Sequence, residues 1–182
     1  EDKTRLADKT TTGKTGFSVK LYKTDAFLAS QPYGTIPAAF SPDGKIGIFE
    51  SNSIMRLVAR LKTKNNTLYG SNPYESSRID SFLDTSLIFA RSSQKYLLAL
   101  NNNSINKTIR NEAKEAYITY MTGIENALRE NKKYGFITSK NITLADICFF
   151  CEFSLFYREI IPLNKPIKGI NSIINEIESK PF

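Results

Sequence analysis

Apolar and polar residues alternate in parts of the first third of the chain, which is the pattern of short β-strands. Residues 17–22 (Phe-Ser-Val-Lys-Leu-Tyr) predict a strand, and residues 25–29 predict a short turn of helix. Two further apolar runs flank Ser41-Pro42-Asp43-Gly44 between residues 36 and 54. Because proline presets φ, aspartate bonds its own backbone and glycine tolerates positive φ, this segment favours a tight reversal. The pattern therefore predicts a β-hairpin.

Beyond the hairpin, the apolar residues follow the helical period of about 3.6. The first predicted helix runs from about residue 52 to 61, and residues 63–73 are polar and rich in helix breakers, so we expect a linker there. Further helices are predicted over about residues 74–98, 109–128, 143–159 and 167–179. The expected fold class is an α/β lobe (residues 1–62) followed by an all-α helical bundle (residues 74–182).

The hydrophobic content of the 182 residues is 41%, which is enough for a sizeable core. No apolar stretch approaches the roughly 20 residues of a membrane span, and the first residues, Glu-Asp-Lys, are not those of a signal peptide. We therefore expect a cytoplasmic protein with no membrane span.

The chain has no histidine and 2 cysteines. Without an imidazole, Ser-His and Cys-His nucleophile systems are excluded within these residues, and so is the commonest metal ligand. Neither a hydrolase nor a metal site is predicted. Cys148 and Cys151 lie in an apolar helical segment, away from the exposed helix start that redox pairs use, so we expect both thiols to be buried in the core.

The formal net charge is +7, with basic and acidic residues interspersed and no run of five or more cations. Such an excess attracts phosphates through a salt-sensitive term that does not read sequence. The chain contains no RNA-recognition signature and no zinc knuckle. We expect a solvated, lysine-rich surface and no specific nucleic-acid motif.

The groups best suited to bind a ligand are predicted where the hairpin meets the helix that begins at about residue 52. Glu50 and Ser51 stand directly before the helical pattern, so a carboxylate, a hydroxyl and free backbone amides meet at a helix start. Pro37 opens the first strand, where a cis bond would turn the N–H and C=O of Ile36 outward toward an extended peptide. This corner is suited to hold a zwitterionic peptide end.

A second local signal is the helix start at Thr143. Thr143 is placed to cap the helix, and the carboxylate of Asp146, three residues on, is expected to reach back to the cap N–H. We expect both residues to have a structural role.

Together these segments resemble the glutathione transferase superfamily. The likeness rests on Ile36-Pro37, then Glu50-Ser51-Asn52-Ser53-Ile54, then Thr143-Leu144-Ala145-Asp146-Ile147. It implies a thioredoxin-like N-terminal lobe, incomplete at its N-terminus, followed by the helical lobe. It also implies that Ile36, Pro37, Glu50 and Ser51 form a glutathione site, either functional or vestigial, with no other cofactor.

One branch of that superfamily resembles the chain more than the rest, namely the transferase-like domains of the elongation factor 1-gamma family. This likeness spans residues 25–182 and adds matches at Cys151, Leu155, Tyr157, Pro162 and Lys180-Pro181-Phe182. It implies a non-catalytic scaffold that docks the nucleotide-exchange subunit of elongation factor 1 and, through it, the GTP-binding elongation factor. A homodimer is a further assembly that the resemblance allows.

Two alternative functions remain open at this stage. One is a glutathione transferase that conjugates glutathione to electrophiles. In that family the group that stabilises the thiolate lies far before the proline, so here it would lie upstream of residue 1 and no catalytic residue is assigned. The other is an interaction module of an aminoacyl-tRNA synthetase complex, which uses the same fold.

Overall fold

Two units make up the computed structural model of the chain, the first ending at Leu57 and the second beginning at Val58. The structure describes residues 25–61, 67–160, 175 and 177–179. The predicted strand over residues 17–22 and residues 63–66 of the predicted linker lie outside the described residues. Most of the predicted helix over residues 167–179 also lies outside them.

The predicted hairpin lies in the first unit between two helices, the second of which continues past the end of that unit at Leu57. Helix α1 spans Asp25–Ser30, strands β1 and β2 span Ala38–Phe40 and Gly47–Phe49, and helix α2 spans Ser51–Leu61. The strands pair antiparallel, with Ala38 opposite Phe49 and Phe40 opposite Gly47. The predicted hairpin is therefore confirmed.

The turn between the strands is closed by its own backbone and by Asp43. The N–H of Gly44 donates to the carbonyl of Ser41 at 2.8 Å, and the Ser41 hydroxyl donates to Asp43 Oδ1 at 2.6 Å. The bond from Ser41, with one from the N–H of Lys45, lowers the pKa of Asp43 below its ordinary value. Gly44 has a φ of +73°, which its lack of a side chain permits.

Gly47 is required where β2 passes α1. A Cβ atom at this position would lie 1.9 Å from the carbonyl oxygen of Ser30, the last residue of α1. The rings of Phe27 and Phe40 join the same helix to the hairpin, with their centroids 6.1 Å apart. The close approach of α1 to the hairpin therefore depends on a residue without a side chain.

The second unit contains three long helices. Helices α3, α4 and α5 span Pro73–Asn101, Lys107–Glu130 and Leu144–Ile160, and α3 packs against both of the others. The expected α/β lobe followed by a helical lobe is confirmed. Within the described residues, none of the helices is both long and apolar enough to cross a bilayer.

Side chains fix the start of α3, which begins at Pro73. Asn72 Oδ1 accepts hydrogen bonds from the N–H groups of Tyr74 at 3.0 Å and Glu75 at 3.1 Å. Glu75 Oε2 in turn accepts from the N–H and the hydroxyl of Ser71, both at 2.7 Å, and these bonds lower the pKa of Glu75. The helix start is therefore capped from both directions.

The segment before α3 is tied to the rest of the helical unit. The carbonyl of Leu68 accepts a hydrogen bond from the N–H of Leu144, at the start of α5, at 2.8 Å. The hydroxyl of Tyr69 donates to Asp80 Oδ2 on α3 at 2.7 Å. This part of the predicted linker is therefore held by both helices.

The core of the helical unit is a cluster of aromatic rings around Phe89. Tyr120 stacks on Phe89 with the centroids 4.9 Å apart, and Phe156 meets Phe89 edge-on at 5.3 Å. Burial raises the pKa of Tyr117, in the same cluster, to about 12. Further core side chains are Ile79, Leu83, Tyr96, Ala113, Ile124 and Cys148. Side chains from α3, α4 and α5 thus share one apolar core.

One expectation about the cysteines is wrong. Cys148 is buried, as predicted, and its Sγ donates to Ser86 Oγ at 3.2 Å, but Cys151 is exposed. Cys151 lies on the strip of α5 that also carries Phe150 and Leu155, which are 69% and 52% exposed. The apolar residues of α5 occupy a wider face of the helix than the face that α3 buries. The apolar pattern alone therefore predicted that both thiols lie in the core.

Candidate functional site

The four residues predicted to form the corner lie at the open end of the hairpin. Pro37 directly precedes β1 and Glu50 directly follows β2, at the end of the ladder where Ala38 pairs with Phe49. All four residues are exposed. The four residues therefore flank the same end of the hairpin, on its surface.

Ile36 offers backbone hydrogen-bonding groups at this edge. The peptide bond between Ile36 and Pro37 is cis, and Ile36 is 68% exposed. Among the described residues, neither the N–H nor the C=O of Ile36 has a hydrogen-bond partner. Because unpaired backbone groups beside a strand bind extended peptides, Ile36 can pair with the backbone of a peptide ligand.

Glu50 occupies the junction between β2 and α2 in an uncommon backbone conformation. Its φ is +67°, in the left-handed region that residues other than glycine rarely adopt. The Glu50 carbonyl accepts a hydrogen bond from the N–H of Ile54 at 3.1 Å, which closes the first turn of α2. Non-glycine residues held in such regions cluster at functional sites, so this observation favours a binding role for the junction.

Ser51 is the first residue of α2. It stands between a negative group, the carboxylate of Glu50, and the partly positive start of the helix. The unpaired N–H groups of a helix start carry a partial positive charge that attracts carboxylates. The Ser51 hydroxyl adds a further donor, while the Glu50 carboxylate attracts a cation. The corner can therefore hold the amino and carboxylate groups of one amino-acid terminus together.

Gln31 shapes the loop that leads to the corner, and the sequence pattern did not single it out. Its side chain is fully buried, and Nε2 donates to the carbonyl and to the hydroxyl of Thr35, both at 2.6 Å. Its Oε1 has no partner among the described residues. The Gln-Pro-Tyr-Gly sequence indicates a loop, but it gives no signal for a buried amide because glutamine is mostly exposed in proteins.

Thr143 and Asp146 lie in the second unit, at the start of α5. Asp146 Oδ2 accepts from the N–H and the hydroxyl of Thr143 at 2.8 and 2.9 Å. Asp146 Oδ1 accepts from the N–H of Ile137 at 2.8 Å. One carboxylate therefore satisfies three donors and joins the helix start to the preceding loop. The bond to Ile137 has no sequence signal, because the two residues are nine positions apart.

Comparison with solved structures identifies the class of fold. A delta-class glutathione transferase of Nilaparvata lugens matches with a TM-score of 0.62 at 19% identity, covering 87% of this chain and 71% of that one. Ure2p in complex with glutathione matches with a TM-score of 0.63 at 15% identity, covering 87% and 78%. The chain therefore has the glutathione transferase fold.

In sequence the chain matches a glutathione transferase-like domain of elongation factor 1-gamma. Elongation factor 1-gamma 1 of Oryza sativa subsp. japonica is 30% identical over 143 residues, which are 78% of this chain and 33% of the relative. Elongation factor 1-gamma of Artemia salina is 32% identical over 142 residues, covering 76% and 31%. The chain thus spans about a third of the length of these relatives. No protein-family model matches it.

Proposed function

We propose that this chain is a scaffold domain of a translation elongation factor of the 1-gamma kind, without catalytic activity of its own. The observation that carries the proposal is the similarity to elongation factor 1-gamma proteins over 76–78% of the chain. A glutathione transferase fold alone does not define a function, so the proposal rests on the sequence similarity.

In this role the chain docks the nucleotide-exchange subunit of elongation factor 1 and, through it, the GTP-binding elongation factor in the cytoplasm. The helical unit supports docking because it exposes apolar side chains that a partner would cover. Tyr74, Ile88 and Phe150 are 89%, 66% and 69% exposed.

Co-expression tests this proposal. The tagged full chain and the nucleotide-exchange subunit from the same organism are expressed together and purified through the tag. We expect the exchange subunit to elute with the chain in a fixed ratio and to remain bound during size exclusion. A homodimer would separate as a species of twice the chain's mass, without the exchange subunit. Lack of association at micromolar concentration contradicts the proposal.

A second candidate function is glutathione conjugation, which the corner before α2 favours. The Ile36 backbone, the Glu50 carboxylate and the Ser51 hydroxyl are complementary to the charged γ-glutamyl end of glutathione. One structural neighbour, Ure2p, is in complex with glutathione. Among the described residues, none is assigned to stabilise the thiolate that such an enzyme needs.

Retention on immobilised glutathione, followed by a conjugation assay, distinguishes the two functions. The scaffold proposal predicts no turnover of a model electrophile by the full chain. Turnover that falls by about tenfold or more in Ser51→Ala, but not in the control Ser77→Ala at an exposed position of α3, would establish the enzyme instead.

A further inference from the structure

Helices α3 and α4 leave an open groove on the surface of the helical unit. The groove has a volume of about 320 Å³ and lies over the stacked rings of Phe89 and Tyr120. Its wall on α3 runs from Thr85 to Ser92. At a rise of 1.5 Å per residue this is about 10 Å, or two helical turns. The groove is therefore long enough to receive side chains from two turns of another helix.

The floor of the groove is apolar, and one apolar side chain, Ile88, stands at its rim between Thr85 and Ser92. Phe89 and Tyr120 are only 1% and 4% exposed, whereas Ile88 stands at the rim with 66% of its surface exposed. The small side chain of Ala116 on α4 leaves room above the floor. An aliphatic side chain entering here would cover Ile88 and so remove apolar surface from water.

The opposite wall carries two carboxylates of α4. Glu112 pairs with Lys95 of α3 at 2.6 Å. The carboxylate of Glu115 has no ion pair or hydrogen bond among the described residues. On a chain of net charge +7, this wall therefore presents a negative charge that nothing in the described structure neutralises. It is complementary to a lysine or an arginine of a partner.

The apolar floor and the free carboxylate are spaced to suit a helix. The two helices run antiparallel, because Lys95 faces Glu112 while Phe89, six residues earlier, faces Tyr120. Glu115 lies five residues along α4 from the floor, or about 7.5 Å. Side chains at i and i+4 of a bound helix are about 6 Å apart along its axis, and a long basic side chain covers the difference.

We propose that this groove is the docking site for an amphipathic helix of the nucleotide-exchange subunit. That helix presents an aliphatic side chain to the floor beside Ile88 and, one turn away, a lysine or arginine to Glu115. This is the helix-in-groove mode of recognition. The inference rests on the proposed function and names the surface and the chemistry through which that partner binds.

Titration calorimetry of the full chain with the exchange subunit tests the groove. We expect Ile88→Asp to raise the Kd by about tenfold or more and Glu115→Lys to raise it by about fivefold or more. Matched controls are Leu98→Asp and Glu130→Lys, which change exposed positions of α3 and α4 outside the groove and should leave the Kd within about twofold. Circular dichroism verifies that each variant is folded.

A salt series isolates the contribution of Glu115. Because added salt screens an exposed ion pair, the affinity of the wild type should fall more steeply with salt than that of Glu115→Gln. Equal salt dependence of the two proteins would contradict an ion pair at this position.

The outcomes distinguish a failure of the groove assignment from a failure of the proposed function. If the wild type binds and both groove variants bind within about twofold of it, the groove assignment is overturned while the scaffold stands. If the wild type does not bind the exchange subunit, both are overturned. If the groove variants change self-association in sedimentation without changing the Kd, the groove binds a second copy of this chain, which also overturns the proposal.

Discussion

At the scale of single residues, Asp146 joins the start of α5 to the loop before it. Its removal leaves the N–H groups of Thr143 and Ile137 without their acceptor, and these residues are 0% and 4% exposed. We expect Asp146→Ala to lower the free energy of unfolding by about 2 kcal/mol. Urea denaturation measures the change. Glu130→Gln, which removes an exposed ion pair with Arg78, should cost less than about 1 kcal/mol. Equal costs would contradict this role for Asp146.

Glu152 gives the helical unit a dependence on pH. Partial burial disfavours the charged carboxylate and raises the pKa of Glu152 above its ordinary value of 4.5. The folded state therefore binds more protons than the unfolded state, so stability falls as the pH rises through a window that begins near 4.5.

Glu152→Gln removes this titration. The variant should unfold at a higher temperature than the wild type near pH 7, and the advantage should vanish near pH 4, where both states are protonated. Thermal unfolding at the two pH values measures it. An advantage of the same size at both would contradict the burial of a charge.

At the scale of elements, the hairpin and helices α1 to α5 could be predicted because their signals are local. A Ser-Pro-Asp-Gly turn or an apolar spacing of three to four is complete within a few residues. Helix ends were less predictable, since α3 continues to Asn101, three residues past its predicted end at about residue 98. The exposure of Cys151 and the burial of Gln31 depend on which surface a distant element covers, and no local pattern carries that information.

Two glycines should respond in opposite directions to the same substitution. Gly47→Ala would place a Cβ 1.9 Å from the Ser30 carbonyl oxygen and force α1 away from β2, at a cost of about 2 kcal/mol or more. Gly123→Ala, in α4, would meet no atom within 4 Å and should stabilise the helix by about 0.5–1 kcal/mol.

Hydrogen exchange of backbone amides distinguishes these two effects. In Gly47→Ala the amides of β1 and β2 should exchange faster, while in Gly123→Ala those of α4 should exchange more slowly. Unchanged exchange in the hairpin of Gly47→Ala would contradict the close approach of Ser30.

At the scale of the whole molecule, the two candidate surfaces belong to different units. The corner formed by Ile36, Pro37, Glu50 and Ser51 lies in the first unit, and the groove beside Ile88 lies in the second. The position of these four residues at one end of the hairpin could be predicted, because Pro37 opens the first strand and Glu50 and Ser51 precede a helical pattern. The groove could not, because it forms only where α3 and α4 pack, and the spacing of apolar residues does not distinguish a buried face from an interface.

The assignment of the two surfaces to different units has a testable consequence. Ser51→Ala should leave the affinity for the exchange subunit unchanged, and Ile88→Asp should leave any retention on immobilised glutathione unchanged. Calorimetry and affinity retention measure the two effects. A loss at both surfaces from either single substitution would contradict their independence.

Sedimentation velocity of the full chain, mixed in equal amounts with the purified nucleotide-exchange subunit at about 10 μM, tests the scaffold role most directly. Specific complexes of micromolar affinity are largely formed at this concentration. The account predicts one boundary with the summed mass of the two chains. Two boundaries, each at the mass of one chain alone, would contradict it.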